Sequence, residues 1–194
     1  MEKKSYHHGN LKNALVEAGI ALIIDKGVEN LSIRNVVNMI GVSHTAPYRH
    51  IKNKEELIIA IAIRGFELLE EKMKGVMNEA ELDDYGRLVQ LGKNYIRFAI
   101  ENREYFRIMF GPYIKNKTAH ADLFAAYNSS FVLLLYAVKK CLGEKKKSLK
   151  ITALAVWSLV HGYTNLVIDN EPDRAVGSDY QIDLVMKQLL LLVQ

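Results

Sequence analysis

The run Ser43-His44-Thr45-Ala46-Pro47-Tyr48-Arg49-His50 sets hydroxyl, imidazole, phenol and guanidinium groups side by side and offers no apolar stripe. Such a segment is poor core material. Its donors and acceptors are of the kinds that read base edges and grip phosphates. In the major groove of a duplex, His44 and Thr45 would meet base edges, with Ser43 opening the same face. The small Ala46 would let the backbone approach, its methyl meeting a thymine methyl. Tyr48, Arg49 and His50 would bond to phosphates, and Arg34 to a guanine or a phosphate. Lys54 stands at the first position of a later helix, where a cation opposes the macrodipole. A bound phosphate there would satisfy the lysine and the free N–H groups together; simple solvation is the plainer alternative.

A second group of side chains lies further on. Tyr95, Phe106, Met109, Phe110, Tyr127, Phe131, Trp157 and His161 fall on helical stretches. Taken singly, each is adequately explained as core packing. Together they also describe the wall of a small-molecule cavity, because buried tyrosines need hydrogen-bond partners. Trp157 and His161 are four apart and share a helix face, and Gly162 beside them leaves room for close approach. A structural tryptophan with a satisfied histidine fits the same spacing.

The elements that must position these groups are helical. Leu11, Leu15, Ala18 and Leu22 recur at helical spacing, and Gly27 is placed to end that helix in a left-handed conformation. Ser32 caps a second helix, with Leu31 and Val36 as a hydrophobic staple and Gly41 as its end. Gly41-Val42-Ser43 is the turn of a helix-turn-helix, leading into a third helix from His44 to about His50. Asn53 and Glu56 form a capping box for a fourth, running to about Met77. Helices are expected at Asp84–Glu101, Arg103–Phe110, about Ala119 to Leu142, Leu149–Ile168 and Asp179–Val193. Between them lie a basic loop at Lys145-Lys146-Lys147 and a loop holding Pro172 and Gly177.

The expected fold is all-α, with about nine helices. A three-helix DNA-binding domain with its arm occupies residues 1–53. A helical bundle for effector binding and dimerisation occupies 54–194, linked by the helix 54–77. The last helix carries Ile182, Val185, Met186, Leu189, Leu190 and Val193, more apolar surface than one face needs. Pairing of the last two helices with a symmetry mate would bury the surplus.

Residues 9–60 resemble the DNA-binding domain of the TetR family of bacterial regulators. The likeness rests on Leu31-Ser32-Ile33-Arg34, on Gly41-Val42-Ser43, and on the string from Tyr48 to Leu57, in which an aromatic and a basic pair precede a lysine that opens a helix. It implies that Tyr48, His50 and Lys54 contact phosphates. It also implies that Arg34, His44, Thr45 and Ala46 face bases, and that an inducer pocket lies in the later helices. Tyr6-His7-His8-Gly9-Asn10-Leu11, and Trp157 with His161-Gly162, resemble a subgroup with a so-called WHG domain. The resemblance implies a ligand-responsive regulator, typically a repressor released from a palindromic operator.

Composition agrees with that reading without demanding it. The chain has 194 residues, 49% hydrophobic and 25% charged, with a formal charge of +4. That is a globular chain, mildly basic as a partner of nucleic acid would be. Lys3, Lys4, His7 and His8 form an arm that could track DNA or fray. The single Cys141 excludes an internal disulfide and fits a reducing cytoplasm. The start Met-Glu-Lys-Lys-Ser lacks the apolar run of a signal peptide, and no uncharged apolar stretch of about 18 residues points to a membrane. No nucleophile–base pair, carboxylate dyad, phosphate loop or zinc-ligand spacing supports an enzyme, so neither cofactor nor metal is expected. The rival reading is a helical protein that binds a ligand or partner and does not use DNA.

Overall fold

The computed structural model describes residues 8–43, 45–143, 148–169 and 178–193, with side chains from Leu11 onward. His44, the arm residues Lys3, Lys4 and His7, the side chain of His8, and the loops holding Lys145–Lys147 and Pro172–Gly177 lie outside them. The described residues form eight α-helices, three short 3-10 turns and no strand. The helices are α1 (His8–Lys26), α2 (Ile33–Ile40), α3 (Lys54–Met77), α4 (Asp84–Glu101), α5 (Arg103–Phe110), α6 (Ala121–Leu142), α7 (Leu149–Asp169) and α8 (Asp179–Val193).

The chain divides into two compact units. The first comprises residues up to Gly65 together with Glu104–Phe124. The second comprises Phe66–Arg103 and the residues from Ala125 onward. Helix α3 therefore contributes its N-terminal half to one and its C-terminal half to the other.

In the first unit, α1 packs on α2. Leu15, Leu22, Leu31, Val36, Val37, Leu57 and Ile61 are all essentially inaccessible. The predicted caps account for the helix ends. The Ser32 hydroxyl accepts the Asn35 N–H at 3.1 Å, and Gly41 ends α2 in the left-handed region with φ 68°. Asn53 Oδ1 accepts the Glu56 N–H at 2.9 Å, while the Glu56 carboxylate accepts the Lys52 N–H at 2.7 Å. Gly27 differs from expectation. Its φ of 82° is positive, but ψ is 161°, so the chain leaves α1 extended and enters a 3-10 turn at Val28–Asn30.

In the second unit, α4 packs against both α7 and α8, which also pack on each other. Leu91, Ile96, Phe98, Val156, Met186 and Leu189 supply its core. Two ion pairs at the rim, Lys93 with Asp183 at 2.6 Å and Arg97 with Asp179 at 2.9 Å, tie α4 to α8. The ammonium of Lys93 holds the Asp183 carboxyl below the usual carboxylate range. Helices α6 and α7 each reach the length and mean hydropathy, 1.4, of a membrane-crossing helix. Length and composition of this kind also suit a bundle helix, and α7 packs on both α4 and α8.

Candidate nucleic-acid interface and aromatic cluster

The turn after α2 is built by glycine. A residue at φ 68° costs an ordinary L-residue about 1 kcal/mol or more. Gly41 takes it freely, and its N–H closes on Val37 O at 3.0 Å. Val42 is half-buried, and the chain then doubles back over α1.

The segment after this turn is not the α-helix expected over 44–50. Among the described residues it is a 3-10 turn, Pro47–Arg49, preceded by turn residues. Its bonds are of the shorter kind: Ala46 N–H to Ser43 O, Arg49 N–H to Ala46 O and His50 N–H to Pro47 O. Proline explains this in part, since Pro47 has no N–H with which to close an α-helical bond. The backbone still winds in the right-handed sense, Ala46 lying at φ −61° and ψ −42°.

Burial sorts the segment into anchors and presented groups. Pro47 and Ile51 are buried. Ser43, Thr45, Tyr48 and Arg49 are exposed, Ala46 and His50 half-buried, and Arg34 is exposed on the first turn of α2. The phenol ring of Tyr48 is 53% exposed, a large value for so apolar a ring. The sequence-predicted set thus shares one unit and is mostly outward-facing.

Lys54 is placed differently. Its ammonium donates to two main-chain carbonyls, Val28 O at 2.8 Å and Glu29 O at 3.2 Å. The charge that the sequence left for a phosphate braces the start of α3 against the turn after α1. No local pattern announces this, because the partners lie 25 and 26 residues away.

The predicted ligand-binding residues divide between the units. Phe106, Met109 and Phe110 belong to the first. Phe106 and Phe110 meet at a tilt of 45°, with centroids 4.8 Å apart. Met109 is fully buried and packs closely against Gly65. Lys117 closes this group, donating to Met109 O at 2.6 Å with its ammonium 5.9 Å from the Phe110 ring centre. Partial burial lowers the pKa of that lysine.

Tyr95, Tyr127, Phe131, Trp157 and His161 belong to the second unit. Tyr95 on α4 and His161 on α7 are joined by a 2.8 Å bond between the phenol oxygen and Nδ1. Trp157 also hydrogen-bonds the phenol. Burial pushes the Tyr95 pKa far up, so the group is a neutral O–H. An indole N–H only donates, so the phenol oxygen accepts from Trp157, while the direction of its bond with His161 Nδ1 follows the tautomer of the imidazole. Trp157 lies 5.2 Å from the His161 ring and 6.3 Å from that of Phe131. Tyr127 meets Phe66 edge-on at 5.6 Å.

Beside this cluster is a cavity of about 30 Å³ lined by Leu88, Leu91, Gly92, Leu134, Val160 and Leu189 in addition to Tyr95 and Trp157. That is space for roughly one water, against roughly 300 Å³ or more for small-molecule sites. Of this lining, sequence reasoning named only Tyr95 and Trp157; the aliphatic residues read as ordinary core, and for Gly92 a lone glycine in an apolar helix stripe was the available signal. Gly162, expected to admit a close neighbour, is exposed, and a Cβ added there would meet nothing. No cluster of three or more metal-ligating side chains occurs among the described residues.

Two family models match the chain. Residues 15–61 match the one described as bacterial regulatory proteins, tetR family. Residues 88–188 match the Tetracyclin repressor-like C-terminal domain. Among solved structures, a protein of unknown function from Rhodococcus sp. RHA1 is 26% identical, with a TM-score of 0.84 over 97% of this chain and 98% of that one. The TetR family transcriptional regulator PfmR from Thermus thermophilus is 17% identical, with a TM-score of 0.68 over 92% and 96%. The fatty acid degradation regulator FadR from Bacillus halodurans is 14% identical, with a TM-score of 0.74 over 92% and 97%. The last two show likeness of fold. No curated protein matches the chain.

Proposed function

The chain belongs to the TetR family of bacterial regulators, and from that premise we propose that it is a cytoplasmic homodimer that represses from a palindromic operator until a small molecule releases it. It is a DNA-binding transcriptional regulator rather than an enzyme. The observation that carries the DNA reading is the exposure of Ser43, Thr45, Tyr48 and Arg49 on a turn anchored by buried Pro47 and Ile51. A turn held this firmly, with its polar groups left outside, is built to meet a partner. His44 falls within the same presented run by sequence.

Reading a palindrome needs two such turns related by a twofold axis, with half-sites roughly 34–36 Å apart. The last two helices support that pairing. On α8 Tyr180, Leu184 and Leu191 lie along one exposed face, opposite buried Ile182, Met186, Leu189 and Val193. On α7 Ile151, Leu154 and Leu166 are likewise exposed. A four-helix bundle with the symmetry mate covers both faces.

Effector binding belongs to the cluster around Tyr95, Trp157 and His161. Its present cavity is a closed form, and a ligand that fits must open it. Ligand and DNA then each favour a different arrangement of the dimer, so each weakens the other's binding. Helix α3, continuous through both units, is one of the three helices, with α5 and α6, through which the chain passes between them.

A mobility-shift titration with the DNA upstream of the protein's own gene tests this. Binding should weaken steeply with salt, as phosphate neutralisation requires. Tyr48→Ala should weaken it by about 1 kcal/mol, roughly fivefold, and leave the unfolding midpoint where it was. Lys54→Ala should lower affinity and midpoint together, because its ammonium holds two carbonyls. Equal affinity for the parent and Tyr48→Ala proteins would remove this turn from the DNA interface.

A further inference from the structure

The first unit holds a cavity of which the DNA reading uses only His50 and the effector reading uses nothing. It measures about 300 Å³, within the range of small-molecule sites. Its floor is aliphatic, made by Ile51, Ile59, Ile63 and Leu123. Its polar wall brings together residues distant in sequence: Lys12 of α1, His50 at the end of the DNA-reading turn, Glu56 of α3, and His120 and Asp122 at the start of α6.

The chemistry of that wall selects its ligand. Two carboxylates stand against one ammonium. One oxygen of Glu56 is occupied by the Lys52 N–H, which leaves its other oxygen and the exposed Asp122 carboxylate as acceptors. Each imidazole, when uncharged, offers one further acceptor nitrogen. An anion would meet two carboxylates and a single lysine. An ammonium would find several acceptors beside an apolar floor.

We propose that this cavity binds a small amphipathic organic cation, a primary ammonium on a short hydrocarbon chain, with the charge at Asp122, Glu56 and the imidazoles and the chain along Ile51, Ile59 and Ile63. His50 makes the site regulatory, since it ends the turn that presents Tyr48 and Arg49, and its N–H closes that turn on Pro47 O at 2.8 Å. A ligand that engages His50 competes for a side chain assigned to phosphate contact. That consequence rests on the regulator reading; the binding itself does not.

Calorimetry on the full chain at pH 8 tests the site with n-hexylammonium chloride and sodium hexanoate. The expected result is saturable binding of hexylammonium, with hexanoate about tenfold weaker or more, equivalent to about 1.4 kcal/mol. Asp122→Asn should weaken hexylammonium about threefold to tenfold without moving the unfolding midpoint. The His50 and His120 imidazole signals should shift in the parent NMR spectrum. Hexylammonium and hexanoate binding alike, or indifference to Asp122→Asn, overturns the site. So does binding that quenches Trp157, the chain's one tryptophan, because that ring lies in the second unit. Operator affinity unchanged by saturating hexylammonium overturns the regulatory half. Because calorimetry involves no DNA, the binding result stands or falls independently of the DNA reading.

Discussion

Tyr95 carries a phenol that burial keeps protonated and that two partners satisfy, so its hydroxyl serves the fold before it serves any ligand. Removing it takes a partner from the Trp157 N–H and another from His161 Nδ1. Tyr95→Phe should cost about 1 to 3 kcal/mol in urea unfolding, the penalty for weakening the satisfaction of buried polar groups. The double variant with His161→Leu should cost less than the two single losses together, because both act on one bond. Strict additivity would show that the bond is not energetically shared. Lys54 makes the complementary point. A charge that the sequence alone leaves for solvent or a phosphate is exposed in the fold but donates to Val28 O and Glu29 O.

Helices meet here through small residues as well as large ones. A Cβ added to Gly92 on α4 would collide with Met186 Sδ on α8 and approach Val160 of α7. Gly92→Ala should therefore destabilise the protein by about 1 to 3 kcal/mol, the usual cost of overpacking a filled core. Adding Met186→Ala should return part of that loss, measured by the same unfolding curves. A Gly92→Ala protein as stable as its parent would mean that α4 and α8 are not in close contact. The same element-scale logic explains why the recognition segment is a tight turn. A stretch of eight residues with an internal proline has few α-helical bonds to form, so i→i+3 bonds and the anchors Pro47 and Ile51 set its shape.

At the scale of the whole molecule, the proposed dimer pairs two chains through the exposed faces of α7 and α8. Leu166 and Leu191 are each 61% exposed, on helices whose other faces are fully packed. Leu184→Glu with Leu191→Glu should convert a dimer into a folded monomer in sedimentation, with operator binding lost by about tenfold or more. Since both side chains are exposed, the unfolding behaviour of the isolated chain gives the change no other reason to act. A double variant that remains dimeric and binds DNA would move the interface elsewhere.

The periodicity of apolar residues and the capping residues were enough to specify the all-helical fold, the bounds of most helices and the turn at Gly41. These are local matters, determined within one or two helical turns by side-chain spacing and by which residue can satisfy a free N–H or adopt positive φ. The outward character of Thr45, Tyr48 and Arg49 was legible for the same reason, since a segment without an apolar stripe has nothing to bury. Tertiary structure alone decided the rest. It placed Phe106, Met109 and Phe110 in one unit and Trp157 and His161 in the other, joined Lys54 to Val28 O and Glu29 O, and joined Tyr95 to His161 across 66 positions. It also set Lys12, His50 and His120 around one cavity. Each of these depends on which helices pack together, and a contact between residues far apart in the chain leaves no trace in the spacing of either one.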